Sequence, residues 1–300
     1  MVDRISSYSN TSKLINNNMR LQGKYAEGQM QVSSGMKSDS YEGIAKDSSK
    51  ILSLETDYAR LVTQTENAQL AMERADVSYD VLGSILDSTQ PFLSAVNSGI
   101  SGTMSTQDLL QHAEVGLGQI ESLLNTQVAG RFLFAGSATQ TAPVDFSDPD
   151  FGPATTPSVV DTDYYQGNDF VQSVEASDGL VIDYGFTAND PALEQIIRAY
   201  DLIRNNPTDQ ATLEEAFGLL ETGLDQLSEK RASISLNAQA LDRSVDNNMD
   251  DLNLLDNTLS GLKEVDLAEV TIRLQEIQSQ LEASYSLTAS ILRLNLADYL

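Results

Sequence analysis

The stretch Leu213–Leu262 decides the fold. Read alternately four and three residues apart, it gives Leu213, Phe217, Leu220, Leu224, Leu227, Arg231, Ile234, Ala238, Leu241, Val245, Asn248, Leu252, Leu255, Leu259 and Leu262. Only Arg231 and Asn248 interrupt the apolar series, and both read as polar positions that set register. A strict alternation of this kind, sustained over about seven heptads, is the seam of a coiled coil or long helical bundle. At 1.5 Å per residue such a helix is about 75 Å long, more than a compact domain needs.

The N-terminal third carries a partner. Ile44, Asp47, Ile51, Leu54, Tyr58, Leu61, Thr65, Ala68, Met72, Ala75, Tyr79, Leu82 and Leu86 repeat the alternation, with Asp47 and Thr65 as its polar members. Two seams of similar length at opposite ends of a chain predict an elongated antiparallel bundle, with everything between them looped out at one end. An ordinary four-helix globular core is the alternative. The bundle seam is assigned to Ile51, Leu54, Tyr58 and Leu61 against Leu220, Leu227, Leu241 and Leu255.

Working outward, residues 1–31 form a weak amphipathic helix in which Leu14, Leu21, Tyr25 and Val32 share a face, with Ile15 and Met19 beside it. Short helices of this quality rarely hold alone in water. Ser33-Ser34-Gly35 interrupts it. At the other end the long seam breaks at Glu264-Val265-Asp266 and restarts with Leu267, Val270, Leu274, Ile277 and Leu281, running on through Ile291 and Leu296 to Leu300. The N-terminal stripe is too thin to cover that surface, so the stripe Leu274, Ile277 and Leu281 is expected to be buried by other subunits.

Between the seams, Gln90-Pro91 and Ser98-Gly99 are expected to weaken or break a helix. Ser105-Thr106-Gln107-Asp108 starts another in the manner of a capping box, and Gly130 is expected to cap its end. From 132 to 197 there is no Lys or Arg while Asp and Glu recur, and most of the 7 prolines fall there. Short alternations at Phe170–Val174 and Leu180–Tyr184 make this a small acidic β-rich insert, expected to fold separately and to be peripheral to assembly. Asp190-Pro191 then caps and opens a helix. The fold class is thus mainly α with an outward β-rich insert. The expected domains are 1–40 with 264–300 (terminal helices), 41–138 with 189–263 (long helical bundle) and 139–188 (insert).

Composition narrows the function classes. A formal net charge of −26 opposes nucleic acid and anionic lipid as partners. There are 0 cysteines, which removes disulfide, thiolate and Cys–metal chemistry. No stretch has the length of a membrane span or the apolar core of a signal peptide, so neither membrane insertion nor a cleaved leader is expected. The 1 histidine, His112, has no second ligand or base, and reads as a surface or packed residue. Asp161 to Gln172 resembles a calcium loop, but Gln166 stands where glycine is needed and Gln172 where a bidentate Glu would be. No catalytic, cofactor-binding or metal site is assigned, and no enzyme activity is expected.

Three stretches carry a resemblance. Gln31-Val32-Ser33-Ser34-Gly35-Met36-Lys37, Glu264-Val265-Asp266-Leu267-Ala268-Glu269 and Leu294-Asn295-Leu296-Ala297-Asp298-Tyr299-Leu300 resemble motifs at the two ends of the flagellin family. Gly130-Arg131-Phe132-Leu133-Phe134-Ala135-Gly136 and Tyr164-Tyr165-Gln166-Gly167-Asn168-Asp169 resemble its hook-associated branch more than filament flagellin. Tyr41-Glu42-Gly43 departs from the family pattern after the Ser-Gly turn. The resemblance implies a structural subunit at the junction of hook and filament in the bacterial flagellum, outside the cell. It implies export through the flagellar type III apparatus, with an export chaperone, identical subunits, hook or hook-associated protein and flagellin as partners. The implied assembly interface is Leu14, Leu21, Tyr25, Val32, Leu267, Val270, Leu274, Ile277, Leu281, Ile291, Leu296 and Leu300. A filament flagellin, and a secreted coiled-coil adhesin or calcium-binding protein, are the alternative readings.

Overall fold

The computed structural model describes the backbone of residues 2–38, 40 and 47–297 and the side chains of 12–38, 40 and 47–290. The expectations for Tyr41-Glu42-Gly43 and Ile44, the side chains of Ile291 and Leu296, and Leu300 lie outside the described residues. Six helices dominate: α1 (Val2–Ser34), α2 (Ser48–Ile100), α3 (Thr106–Leu124), α4 (Pro191–Asn205), α5 (Gln210–Lys263) and α6 (Leu267–Ala297). Two hairpins complete the described elements, β1 (Gln127–Val128) with β2 (Arg131–Phe132) and β3 (Ser173–Ser177) with β4 (Leu180–Asp183). The mainly α class expected from the sequence is observed, and α5 runs through the whole Leu213–Leu262 seam.

Local chemistry explains most boundaries. Ser105 accepts from the Asp108 amide at 3.1 Å and starts α3. Asp190 accepts from the Ala192 amide at 3.0 Å with Pro191 next, and starts α4. Two boundaries differ from expectation. α3 stops at Leu124 with Asn125 as its cap, because Ala129 (φ 51) and Gly130 (φ 74) form the turn between β1 and β2. Two successive left-handed residues make a two-residue hairpin turn, and glycine relieves the strain at one of them. α2 continues through Pro91. A mid-helix proline costs about 3 kcal/mol, but Phe92, Ala95 and Val96 just beyond it are buried in the core. Burial of Phe92 and Val96 contributes about 1.5–3 kcal/mol each, which offsets the proline.

Two compact units divide the chain: 1–59 with 252–300, and 60–251. In the second, parts of α2 and α5 share one core with α3 and α4, including Leu82, Phe92, Ile120, Leu193, Tyr200 and Leu220. The Phe92 and Tyr200 rings stack with centroids 3.9 Å apart, and burial pushes the Tyr200 hydroxyl pKa up to about 12. The core of this unit therefore draws on four helices, where the sequence had suggested two facing seams. Among the seam residues assigned to it, Leu220, Leu227 and Leu241 are buried and Leu61 is half-buried. In the first unit Ile51 is buried, and Leu54, Tyr58 and Leu255 are half-buried.

Residues 139–188 had been expected as a separate outward domain, but they lie inside the 60–251 unit. Val144, Tyr164 and Phe186 enter the same core as α3 and α4. Between Ala154 and Asp161 the loop is tied to α4 and α5. The Ala154 amide donates to Asp201 at 2.6 Å, the Ser158 amide to Glu215 at 2.8 Å, and Thr156 bonds Thr212 at 2.7 Å. The β3–β4 hairpin pairs antiparallel with Val174 opposite Ile182, and a bulge follows between Glu175 and Ser177. Its Ala176 and Ile182 pack on Ala68, Ala71, Leu241 and Val245.

The two polar seam positions on α5 have specific partners. Asn248, 2% exposed, donates to the Ala176 carbonyl at 2.7 Å, and Ser244 donates to the same oxygen at 3.1 Å. Arg231 lies 3.9 Å over the Tyr79 ring, and its Nε donates to the Tyr79 carbonyl at 3.1 Å. Neither acts as a bare polar interruption. Each satisfies a backbone carbonyl on another segment.

Candidate assembly surface

Helices α1 and α6 run antiparallel and pack on each other. The α1 side of their seam reads Leu14, Asn18, Leu21, Tyr25, Gly28, and the α6 side Val270, Leu274, Ile277, Leu281, Ser284, each stepping by three and four residues. Leu21, Ile277 and Leu281 form a small core with Tyr25 beside them. At Gly28 a Cβ would come within 2.8 Å of the Leu274 Cδ2 atom, so the glycine lets the two backbones close. At the other end Ser284 donates to Asn18 at 2.5 Å, and Gln22 to the Tyr285 hydroxyl at 2.5 Å. Asn18 and Gly28 carry no apolar signal in the sequence, although both fall on the four–three spacing.

Leu21, Val270, Ile277 and Leu281 are buried, and Leu14, Tyr25 and Leu274 half-buried, within one chain. The stripe Leu274, Ile277 and Leu281, expected to await other subunits, already has a partner in α1, because the polar Asn18 and the small Gly28 complete a face that looked too thin. Val32 and Leu267 continue the same four–three spacing but are exposed. What the pair leaves open is its outer surface: Ile15, Met19 (62% exposed) and Met30 on α1, and Ile272 (59%), Tyr285 and Leu287 on α6. These large apolar side chains are open to solvent on the two paired helices.

The motifs at the two chain ends are bonded together. The Val265 amide donates to the Gly35 carbonyl at 3.0 Å and the Lys37 amide to the Lys263 carbonyl at 2.7 Å, with Met36 and Glu264 as a bridge pair. Lys37 Nζ donates to the Gly261 and Leu262 carbonyls at 2.6 and 3.0 Å. A lysine there satisfies last-turn carbonyls and complements the negative end of the helix dipole. Asp266 accepts from the Ala268 and Glu269 amides at 2.9 and 3.2 Å, capping α6. The basic residue after Ser-Ser-Gly and the Asp-X-Ala-Glu run thus build one backbone crossing that ends α5 and begins α6.

The two internal motifs also meet. Asn168 accepts from the Ser137 amide at 3.0 Å, its own amide donates to the Ala135 carbonyl at 3.3 Å, and Tyr164 donates to the Ala188 carbonyl at 3.1 Å from inside the core. His112 is exposed on α3. Asp161 accepts from the Asp163 amide at 2.9 Å, so it organises a turn. Among the described residues no group of three His, Cys, Asp or Glu is placed to hold a metal ion. No described helix is long and apolar enough to cross a membrane.

The chain is mainly helical, and its two terminal helices pair in one unit. The profile of the bacterial flagellin C-terminal helical region matches residues 217–300, most of α5 with α6. Among solved structures, the fold is similar to that of a flagellar hook-associated protein from Vibrio parahaemolyticus (TM-score 0.59, 20% identity, 74% of this chain and 100% of that one). It is also similar to flagellar hook-associated protein-3 from Legionella pneumophila (TM-score 0.57, 11% identity, 71% and 98%). Bacillus cereus FlgL is a weaker likeness, at TM-score 0.48 and 16% identity over 71% and 98%. No curated protein matches the sequence. The chain therefore resembles the flagellin family in its C-terminal region and flagellar hook-associated proteins in its fold.

Proposed function

We propose that this chain is a structural subunit of the bacterial flagellum that joins hook to filament, as an FlgL-like junction protein. The observation that carries the reading is the α1–α6 pair, in which both chain ends meet in one antiparallel seam and present Met19, Met30, Ile272 and Leu287 on the outside. The terminal segments 1–40 and 264–300 then act as the polymerisation domain, and the outer face packs on the same helices of neighbouring subunits. Identical subunits, hook or hook-associated protein below and flagellin above are the partners. The chain reaches this place outside the cell unfolded, through the flagellar type III apparatus and with an export chaperone. No catalytic step is part of the role.

Immunogold labelling of flagella isolated from the source bacterium tests the assignment. Label confined to a short band between hook and filament supports it, together with loss of filaments and release of flagellin from a deletion strain that still builds hooks. Label along the whole filament assigns the chain as a flagellin instead.

A further inference from the structure

One flank of the α1–α6 pair is basic on a strongly acidic protein. Lys13, Arg20 and Lys24 are exposed along α1. An open groove of about 270 Å³ between the helices is lined by Lys24 and Arg273, with Gln31 and the single carboxylate Glu27. Arg273 also pairs with Glu269 on its own helix. Arg20 and Lys24, four residues apart, are separated by about 6 Å along the helix axis.

On α5 the opposite holds. Asp242, Asp246 and Asp250 are exposed at four-residue spacing, so they form a row with the same rise of about 6 Å. Among the described residues none of the three is in an ion pair. Asp242 also faces Asp76 of α2, where burial, then the like charges of Asp80 and Asp242, raise the Asp76 carboxyl pKa. The chain thus holds an acidic row without an ion pair among the described residues, and on α1 a pair of cations, Arg20 and Lys24, at the same spacing beside the groove.

We propose that the Arg20–Lys24–Arg273 flank of one copy receives the Asp242–Asp246–Asp250 row of a second copy. The apolar outer face of α1 and α6 supplies contact area between copies, while this charge pairing fixes which part of the neighbour is met and in which direction. Complementary charges of this kind chiefly set specificity and association rate, and screening by salt weakens them. The contact is heterologous, since groove and row are different surfaces, and such contacts build rings or helices rather than closed twofold dimers. The inference rests on the flagellar subunit reading and deepens it by naming the surface the neighbour presents.

The test is self-association of the full chain, followed by sedimentation velocity at millimolar concentration, with far-UV circular dichroism to confirm folding. Arg20→Glu with Lys24→Glu should weaken association about tenfold, as should Asp246→Lys with Asp250→Lys. Mixing the two variants should restore it, because the reversed row of one meets the reversed groove of the other. No loss in the single variants, or no rescue in the mixture, overturns the pairing. Loss with Ile272→Asp but not with the charge variants overturns the pairing and leaves the subunit reading standing. A wild-type chain that stays monomeric at low salt counts against both.

Discussion

Asn248 of α5 donates its side-chain amide to the carbonyl of Ala176, 2.7 Å away in the β3–β4 hairpin. In sequence this asparagine looks like a polar defect in a leucine seam, and in the fold it is the slot into which a hairpin docks. The two roles predict opposite mutational signs. Replacing a register-setting asparagine with leucine stabilises a coiled coil at the cost of specificity. Here Asn248→Leu removes one of the two donors to a buried carbonyl and one of the acceptors of Ser177, so a loss of about 0.5–1.5 kcal/mol is expected in urea unfolding. A gain in stability would return Asn248 to the seam.

The same hairpin decides the fate of the insert. Removing Thr141–Thr187 behind a short glycine linker looks harmless from composition, since the segment is acidic and lacks a heptad pattern. The deletion would strip Val144, Tyr164, Ile182 and Phe186 from two apolar clusters. Large-to-small changes at single core sites already cost about 2–5 kcal/mol. The deleted chain should therefore lose its cooperative thermal transition in calorimetry. A variant melting as sharply as wild type would show that the helices need nothing from this segment.

Lys37 offers a local prediction at the crossing of the chain ends. Its ammonium caps the Gly261 and Leu262 carbonyls, an interaction worth about 0.3–1 kcal/mol on an exposed helix end. Lys37→Ala should leave global unfolding nearly unchanged while amide exchange quickens across the last turn of α5 and the first of α6. Unaltered exchange at 258–268 would mean that the backbone bonds of the crossing suffice.

Stability should fall as pH rises out of the acid range. Burial, then Asp80 and Asp242, raise the Asp76 carboxyl pKa; burial, then Asp145, raise that of Glu121. Burial also raises that of Glu194, against the Asp161 amide and Arg198, which pull it down. A carboxyl whose folded pKa lies above its unfolded one favours the protonated folded state. Its contribution is full below the ordinary carboxylate range and is lost as pH rises through the raised value. Melting temperature should thus decline from about pH 4 toward neutrality, and Asp76→Asn should shallow that decline. A steeper decline in the variant would contradict the assignment.

How much of this was legible follows from what periodicity can see. The seam of α5 and its restart in α6 are carried by leucines at fixed spacing, and both stand where the sequence put them. Asp190-Pro191 and Ser105 announced their helices because capping is local chemistry. The insert's attachment was hidden, since it depends on Tyr164, Phe186 and Ala176 reaching helices distant in sequence. Gly130 misled because a glycine after a helical pattern can serve as a cap or as a hairpin turn, and only the pairing of β1 with β2 separates them. The α1 face was underestimated for the same kind of reason. Asn18 and Gly28 are seam residues by geometry but not by hydropathy.

The central claim is that the outer face of the α1–α6 pair, not its inner seam, joins one subunit to the next. Ile272→Asp and Ile277→Asp, five residues apart on α6, separate the two surfaces. Ile277 is 7% exposed against α1, so an aspartate there buries an unpaired charge and should abolish amide protection in both α1 and α6 of the monomer. Ile272 is open to solvent, and its aspartate variant should keep that protection. The decisive measurement is filament attachment in cells whose only copy of the chain carries Ile272→Asp, with monomer amide exchange as the folding control. The account predicts an intact α1–α6 pair and flagellin shed into the medium from cells with complete hooks. Normal filaments on those cells would contradict it.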